Sequence, residues 1–98
     1  MNKEFNCPVE ATISLIGGKY KSVILFHLMG KTLRYSELHK KIPKATDKML
    51  AQQLRELEKD GLIKRTVYPV VPPKTEYNLT EFGESLSPIL NAMCNWGE

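Results

Sequence analysis

Residues 46–61 constrain this chain more than any other segment. Thr46 can cap an opening helix by accepting a hydrogen bond from its free amides, and Asp47 sits well in the first turn against the helix dipole. Residues 49–59 continue in helical register until Gly61 supplies a stop. At about 100° per residue, Leu54 and Leu57 fall beside Leu50, whereas Lys48, Gln52, Arg55 and Lys59 fall opposite. One face is built to be buried and the other is basic and amide-bearing. Upstream, Ser36 can cap a short helix through Lys41 with Leu38 facing inward, and Pro43 ends it. Two short helices separated by about four to five residues form a helix-turn-helix pattern.

The flanking segments limit the fold further. Residues 62–68 and 75–79 change from helical to extended patterning, and between them lie Pro69, Val70, Val71, Pro72 and Pro73. Proline lacks a ladder donor, so these residues form the stiff tip of a two-stranded hairpin rather than sheet interior. Residues 31–35 read as a small edge strand or extended link. The apolar residues of segment 8–16 fit a strand or a short helix; Pro8 and Glu10 at its start favour the helix. Gly17 and Gly18 break it, and residues 19–29 form a core helix that is apolar on most sides. Thr80 can cap a last helix in which Phe82, Leu86, Ile89, Leu90, Met93 and Trp96 recur at spacings of three and four. The expected fold is mainly α with a small β wing, a winged helix-turn-helix.

With 98 residues, 42% hydrophobic and 26% charged, the chain suits one domain over residues 1–98 and leaves little space for an enzyme cleft. The longest apolar stretch, residues 23–29, is interrupted by His27 and followed by Gly30 and Lys31, so no membrane span is expected. The start, residues 1–6, lacks a signal-peptide pattern, and a cytoplasmic location is the expectation. Two cysteines make neither a disulfide framework nor a zinc set; no metal or cofactor is expected. Gly17-Gly18-Lys19 lacks the full phosphate-loop pattern. His27 reads as a satisfied core histidine and His39 as an exposed one. No catalytic set emerges, and the chain is read as a non-enzyme.

The formal charge of +3 is compatible with a polyanion partner. A helix fits the major groove of double-stranded DNA, where Gln pairs with adenine, Lys or Arg with guanine, and Asp accepts from cytosine N4. The candidate readers are Lys44, Thr46, Asp47, Lys48, Gln52, Gln53 and Arg55. Lys64, Arg65 and Lys74 make the hairpin a basic wing able to follow the phosphate backbone. Each feature also has a plainer reading, as a solvated helix face or a sheet edge guarded against aggregation. Together they favour DNA binding.

The last helix invites self-association. Its stripe of Phe82, Leu86, Ile89, Leu90, Met93 and Trp96, with Val9 and Ile13 of the first helix beside it, could be buried by a two-fold homodimer that places two recognition helices about one DNA turn apart. Part of the stripe must serve the monomer core. Cys7 precedes Pro8 at a helix start, where free amides and the dipole favour a thiolate, so it is the better candidate for a reactive cysteine. An inert terminal thiol is the alternative. Packing is the simpler role for Cys94.

Three blocks in order then carry a resemblance: residues 15–20 (LIGGKY), residues 48–62 (KMLAQQLRELEKDGL) and residues 68–80 (YPVVPPKTEYNLT). The chain resembles the HxlR-type family of bacterial and archaeal transcriptional regulators, winged-helix proteins related to the MarR-like group, over nearly its whole length. The resemblance implies a homodimer held by the first and last helices on a roughly palindromic operator. Residues 49–57 would lie in the major groove and the 64–74 hairpin would serve as the wing. It also implies control of genes for stress, aldehyde or electrophile handling, with Cys7 at the position where some members sense an oxidant or electrophile. Tyr20 stands where the family usually has tryptophan. Lys44-Ala45-Thr46-Asp47 replaces its usual glycine, isoleucine, serine and glutamine, changing charge at the groove entrance. Two other readings compete: a ligand-responsive regulator without a redox role, its pocket between the wing domain and the dimer helices, and a winged-helix protein-interaction module with weak DNA binding.

Overall fold

The computed structural model describes residues 5–98, and the reading of the start as lacking a leader falls largely on residues 1–4, outside the described residues. The elements run α1 (Pro8–Ile16), α2 (Lys21–Leu28), β1 (Leu33–Arg34), α3 (Tyr35–Lys41), α4 (Asp47–Lys59), β2 (Ile63–Tyr68), β3 (Lys74–Leu79), α5 (Glu81–Glu84) and α6 (Ser87–Gly97). Helices dominate and the strands form one small sheet, as expected.

Local chemistry accounts for the boundaries. Pro8 opens α1, where its missing N–H costs nothing, and Glu10 in the first turn accepts from the Asn6 amide at 3.2 Å. Thr46 caps α4 by accepting the Met49 N–H at 3.1 Å. Beyond α4, Gly61 takes φ +77°, a left-handed turn that only glycine adopts freely, and the Leu62 amide returns to the Leu57 carbonyl at 3.0 Å. A segment of one helix thus becomes the start of a strand within three residues.

The hairpin is not alone. β1 pairs with β3, Leu33 opposite Tyr77, so the sheet has three antiparallel strands in the order β1-β3-β2. The short 31–35 segment therefore closes the inner edge of the wing. Leu50, Leu54 and Leu57 of α4 pack with Ile24, Leu25 and Leu28 of α2, Leu38 of α3 and Leu62, Ile63 and Leu79 of the sheet. Truncating such a leucine to alanine costs about 2–5 kcal/mol, a large share of the stability of a domain this small.

Two boundaries differ from expectation. The helix expected to be capped by Ser36 begins two residues earlier, because Arg34 is the cap: the Glu37 carboxylate reaches back to accept the Arg34 amide at 2.9 Å. The single last helix is two. Thr80 caps α5 through the Gly83 amide at 3.1 Å, but α5 ends after one turn and Pro88 opens a new helix. Proline lacks the N–H that a continuous helix would donate four residues back. Gly83 is pressed so closely on the Leu62 carbonyl that a Cβ there would collide with it. The stripe is consequently divided: Leu86 and Leu90, expected at a dimer surface, are buried in the monomer core, whereas Phe82, Ile89, Met93 and Trp96 stay exposed. Among the described residues no helix is long and apolar enough to cross a membrane.

Candidate nucleic-acid interface

Helices α3 and α4 are tied at their joint. The Tyr35 hydroxyl donates to Oδ1 of Asp47 at 2.8 Å, and His39 places Nδ1 3.1 Å from the same oxygen. The other ring nitrogen, Nε2, lies 2.8 Å from the Ala45 carbonyl. Burial and the Asp47 hydrogen bond push the Tyr35 phenol up to about 12. Two side chains from α3 thus clamp the first residue of α4. The sequence placed His39 in solvent; it is half-buried here and spans the turn.

The joint engages two of the candidate groove residues. Asp47, expected to meet a base, has one carboxylate oxygen engaged within the helix-turn-helix, where it ties α4 to α3. Thr46 spends a lone pair on its own helix as the cap. Lys44 is exposed on the turn, and Lys48, Gln52 and Arg55 are exposed along one face of α4.

Gln53 does not join that face. It is 9% exposed, and its Oε1 accepts the Tyr20 backbone N–H at 3.2 Å, across from the α1–α2 joint. Gly18 allows the approach, because a Cβ there would collide with the same Oε1. One turn further on, the Lys21 ammonium, in a residue 7% exposed, meets the Glu56 carboxylate at 2.8 Å and holds it below the usual carboxylate range. Gln53 and Glu56 therefore anchor α4 from behind. The placement of Gln53 in the groove is corrected by this geometry.

The wing is basic but partly self-neutralised. Lys64 and Arg65 are exposed on β2, whereas Lys74 lies 3.4 Å from the Glu76 carboxylate and 4.9 Å over the Tyr68 ring. The Tyr68 hydroxyl bond, then Lys74 and Arg34, holds Glu76 low; the same bond pushes Tyr68 up. Lys74 is thus tethered rather than free. Val9 and Ile13 of α1 lie open to solvent, as do Phe82, Ile89, Met93 and Trp96, the last 90% exposed. Cys7 is an exposed free thiol at the α1 cap and Cys94 is half-buried. His27, expected in the core, is half-buried instead, its ring edge-on to Phe26; burial, then Lys41 and Lys31, lowers its pKa.

Residues 15–98 match the family described as HxlR-like helix-turn-helix. The chain belongs to that family. The uncharacterized HTH-type transcriptional regulator YdeP of Bacillus subtilis (strain 168) is 54% identical over 92 residues, covering 94% of this chain and 72% of that protein. YtcD of the same organism, likewise an uncharacterized HTH-type transcriptional regulator, is 57% identical over 95 residues, 97% of this chain and 75% of its own length. Among solved structures, the redox regulator HypR in its oxidized form matches with a TM-score of 0.88 at 49% identity, covering 93% of this chain and 94% of that one. The reduced form of the transcriptional regulator YodB from B. subtilis matches at 0.79 and 36% identity, over 94% and 91%. Membership in the HxlR-like family makes this a winged-helix protein of transcriptional regulators rather than enzymes.

Within this HxlR-like fold, two of the three motif blocks meet each other: the Gly17–Tyr20 joint rests on Gln53, and Lys21, next in sequence, on Glu56. Sequence reading missed the Lys21–Glu56 pair and the Tyr35–His39–Asp47 clamp. Helical spacing predicts which residues share a face, not which polar groups on separate elements find one another.

Proposed function

We propose that this chain is a sequence-specific, double-stranded DNA-binding transcriptional regulator of the cytoplasm, acting as a homodimer on a pseudo-palindromic operator and switched by oxidants or electrophiles at Cys7. The observation that carries it is the exposed row Lys48, Gln52 and Arg55 on a helix whose other face is locked by buried leucines, Gln53 and the Glu56 ion pair. Such a helix is rigid and presents donors to the major groove, with Lys44 at its entrance and Lys64 and Arg65 on the wing for phosphates. Thr46 caps this helix and Asp47 ties its first turn to α3.

The exposed apolar residues support the dimer. Burying side chains such as Ile13, Phe82, Ile89, Met93 and Trp96 gains about 1.5–3 kcal/mol each, and a two-fold pairing repeats the gain on the partner. Two recognition helices then face half-sites about 34 Å apart. Cys7 is exposed at the α1 cap, beside Val9 on this surface. With a peroxide, its thiolate attacks one oxygen, giving a sulfenic acid and releasing hydroxide. The similarity to a regulator known in oxidized form supports the redox reading.

A second reading, a ligand-responsive regulator without redox chemistry, is favoured by an apolar groove of about 240 Å³ between α2 and α6, lined by Val23, Phe26, Leu90 and Met93. Fluorescence anisotropy on promoter DNA before and after hydrogen peroxide separates the two. The thiol reading predicts a peroxide response that Cys7→Ser abolishes; an undiminished response in that variant rejects Cys7 as sensor.

A further inference from the structure

Alternation along β2 separates its two basic residues. Successive side chains of a strand point to opposite faces, so Arg65 shares the face of buried Ile63, toward α4, while Lys64 points away. Arg65 lies opposite Tyr77 in the β2–β3 ladder, and Tyr77 is 7% exposed. On α4, Ala51, Arg55 and Glu58 fall at helical spacing on one flank, and the small side chain of Ala51 leaves room beside it. These five residues enclose a cleft of about 370 Å³ between the recognition helix and the wing, with Tyr77 as a wall.

The charge in the cleft is unbalanced. Two arginines from different elements line it with a single acidic residue, Glu58. Among the described residues no carboxylate lies within 4.0 Å of either arginine. A planar guanidinium fork matches two oxygens of a phosphate, and two forks sharing one cleft match a tetrahedral anion better than a base edge. DNA held with α4 in the major groove and the hairpin over the adjacent backbone passes one strand between these two elements.

We propose that Arg55 and Arg65 together clamp one backbone phosphate of the bound DNA in this cleft, so that Arg55 sets register rather than reading a base. The inference rests on the DNA-binding reading above and refines it, since the spacing of α4 alone placed Arg55 among the base readers. Glu58, at the same cleft, opposes the phosphate and keeps non-specific affinity down.

The test is fluorescence anisotropy of the full chain on the promoter duplex adjoining its own gene and on a scrambled duplex, each across a salt series. Neutralising one phosphate contributes about 0.9 to the slope of log K against log salt. Arg55→Ala and Arg65→Ala are each expected to reduce that slope by about this amount per chain and to weaken both duplexes by the same factor. Because they share one phosphate, the double variant loses less than the product of the single losses. Arg55→Lys, which keeps the charge without the fork, loses affinity on both duplexes, and Glu58→Gln gains affinity on both. Arg55 and Glu58 lie on the exposed flank of α4, and Arg65 is itself exposed, so circular dichroism should show unchanged folding. Losses confined to the promoter duplex, or fully multiplicative losses in the double variant, overturn the clamp. Failure of the wild type to distinguish the duplexes is a different result: it overturns sequence-specific regulation while leaving the shared slope change to be read.

Discussion

The backbone N–H of Tyr20 donates to Oε1 of Gln53 across 3.2 Å, joining the turn before α2 to the hidden side of the recognition helix. A buried amide side chain here satisfies a donor left by the Gly17–Gly18 break. The same helix therefore carries two glutamines with opposite duties: Gln52 faces solvent and Gln53 the interior.

Gln53→Ala removes the acceptor for that amide and is expected to lower stability by about 1–3 kcal/mol, seen as an earlier midpoint in urea denaturation. Gln52→Ala should stay within about 0.5 kcal/mol of wild type while losing about 1–3 kcal/mol of discrimination between promoter and scrambled DNA. Equal destabilisation by the two would place both glutamines on one face.

Which features were legible in the sequence follows from their range. The Thr46 cap, the Gly61 stop and the leucines of α4 are local or periodic, and each stands where the spacing puts it. Pairing of β1 with β3 joins residues more than forty positions apart, and the Lys21–Glu56 pair joins two helices; neither leaves a periodic trace. The break between α5 and α6 has a signal in Pro88, which the continuous spacing of apolar residues around it masks. That break decides which of those residues enter the core: Leu86 and Leu90 do, and Trp96 does not.

Tyr35 gives a spectroscopic handle on the helix-turn-helix clamp. Its phenol is expected to titrate near pH 12, followed by absorbance at 295 nm, and Asp47→Asn should bring it down toward the ordinary value of 10. The folded pKa lies above the unfolded one, so this contribution to stability is complete below pH 10 and is lost as pH rises toward 12. Titration at 10 in the wild type would show the clamp open in solution.

His27 works in the other direction. Burial, aided by Lys41 and Lys31, lowers its pKa below 6.5, so the folded state binds fewer protons than the unfolded chain in that window. Stability held above pH 6.5 should fall as pH drops through the lowered value. His27→Gln should flatten that slope in urea midpoints measured from pH 7 to pH 5; an unchanged slope would mean the ring is as solvated as in the unfolded chain.

Trp96→Glu and Ile13→Glu place charges on the exposed apolar surface of α6 and α1. Each is expected to shift the protein from two chains to one in sedimentation equilibrium without loss of helical signal, and to cost affinity for the two-half-site promoter. A wild-type protein that sediments as one chain at micromolar concentration would contradict the dimer.

The most direct test of the central claim is binding of the purified protein to the promoter DNA adjoining its own gene and to a scrambled duplex, by fluorescence anisotropy across a salt series. A dimeric, sequence-specific regulator is expected to bind the promoter selectively with two chains per site, weakening steeply as salt rises. Weak binding of equal strength to both duplexes would contradict it.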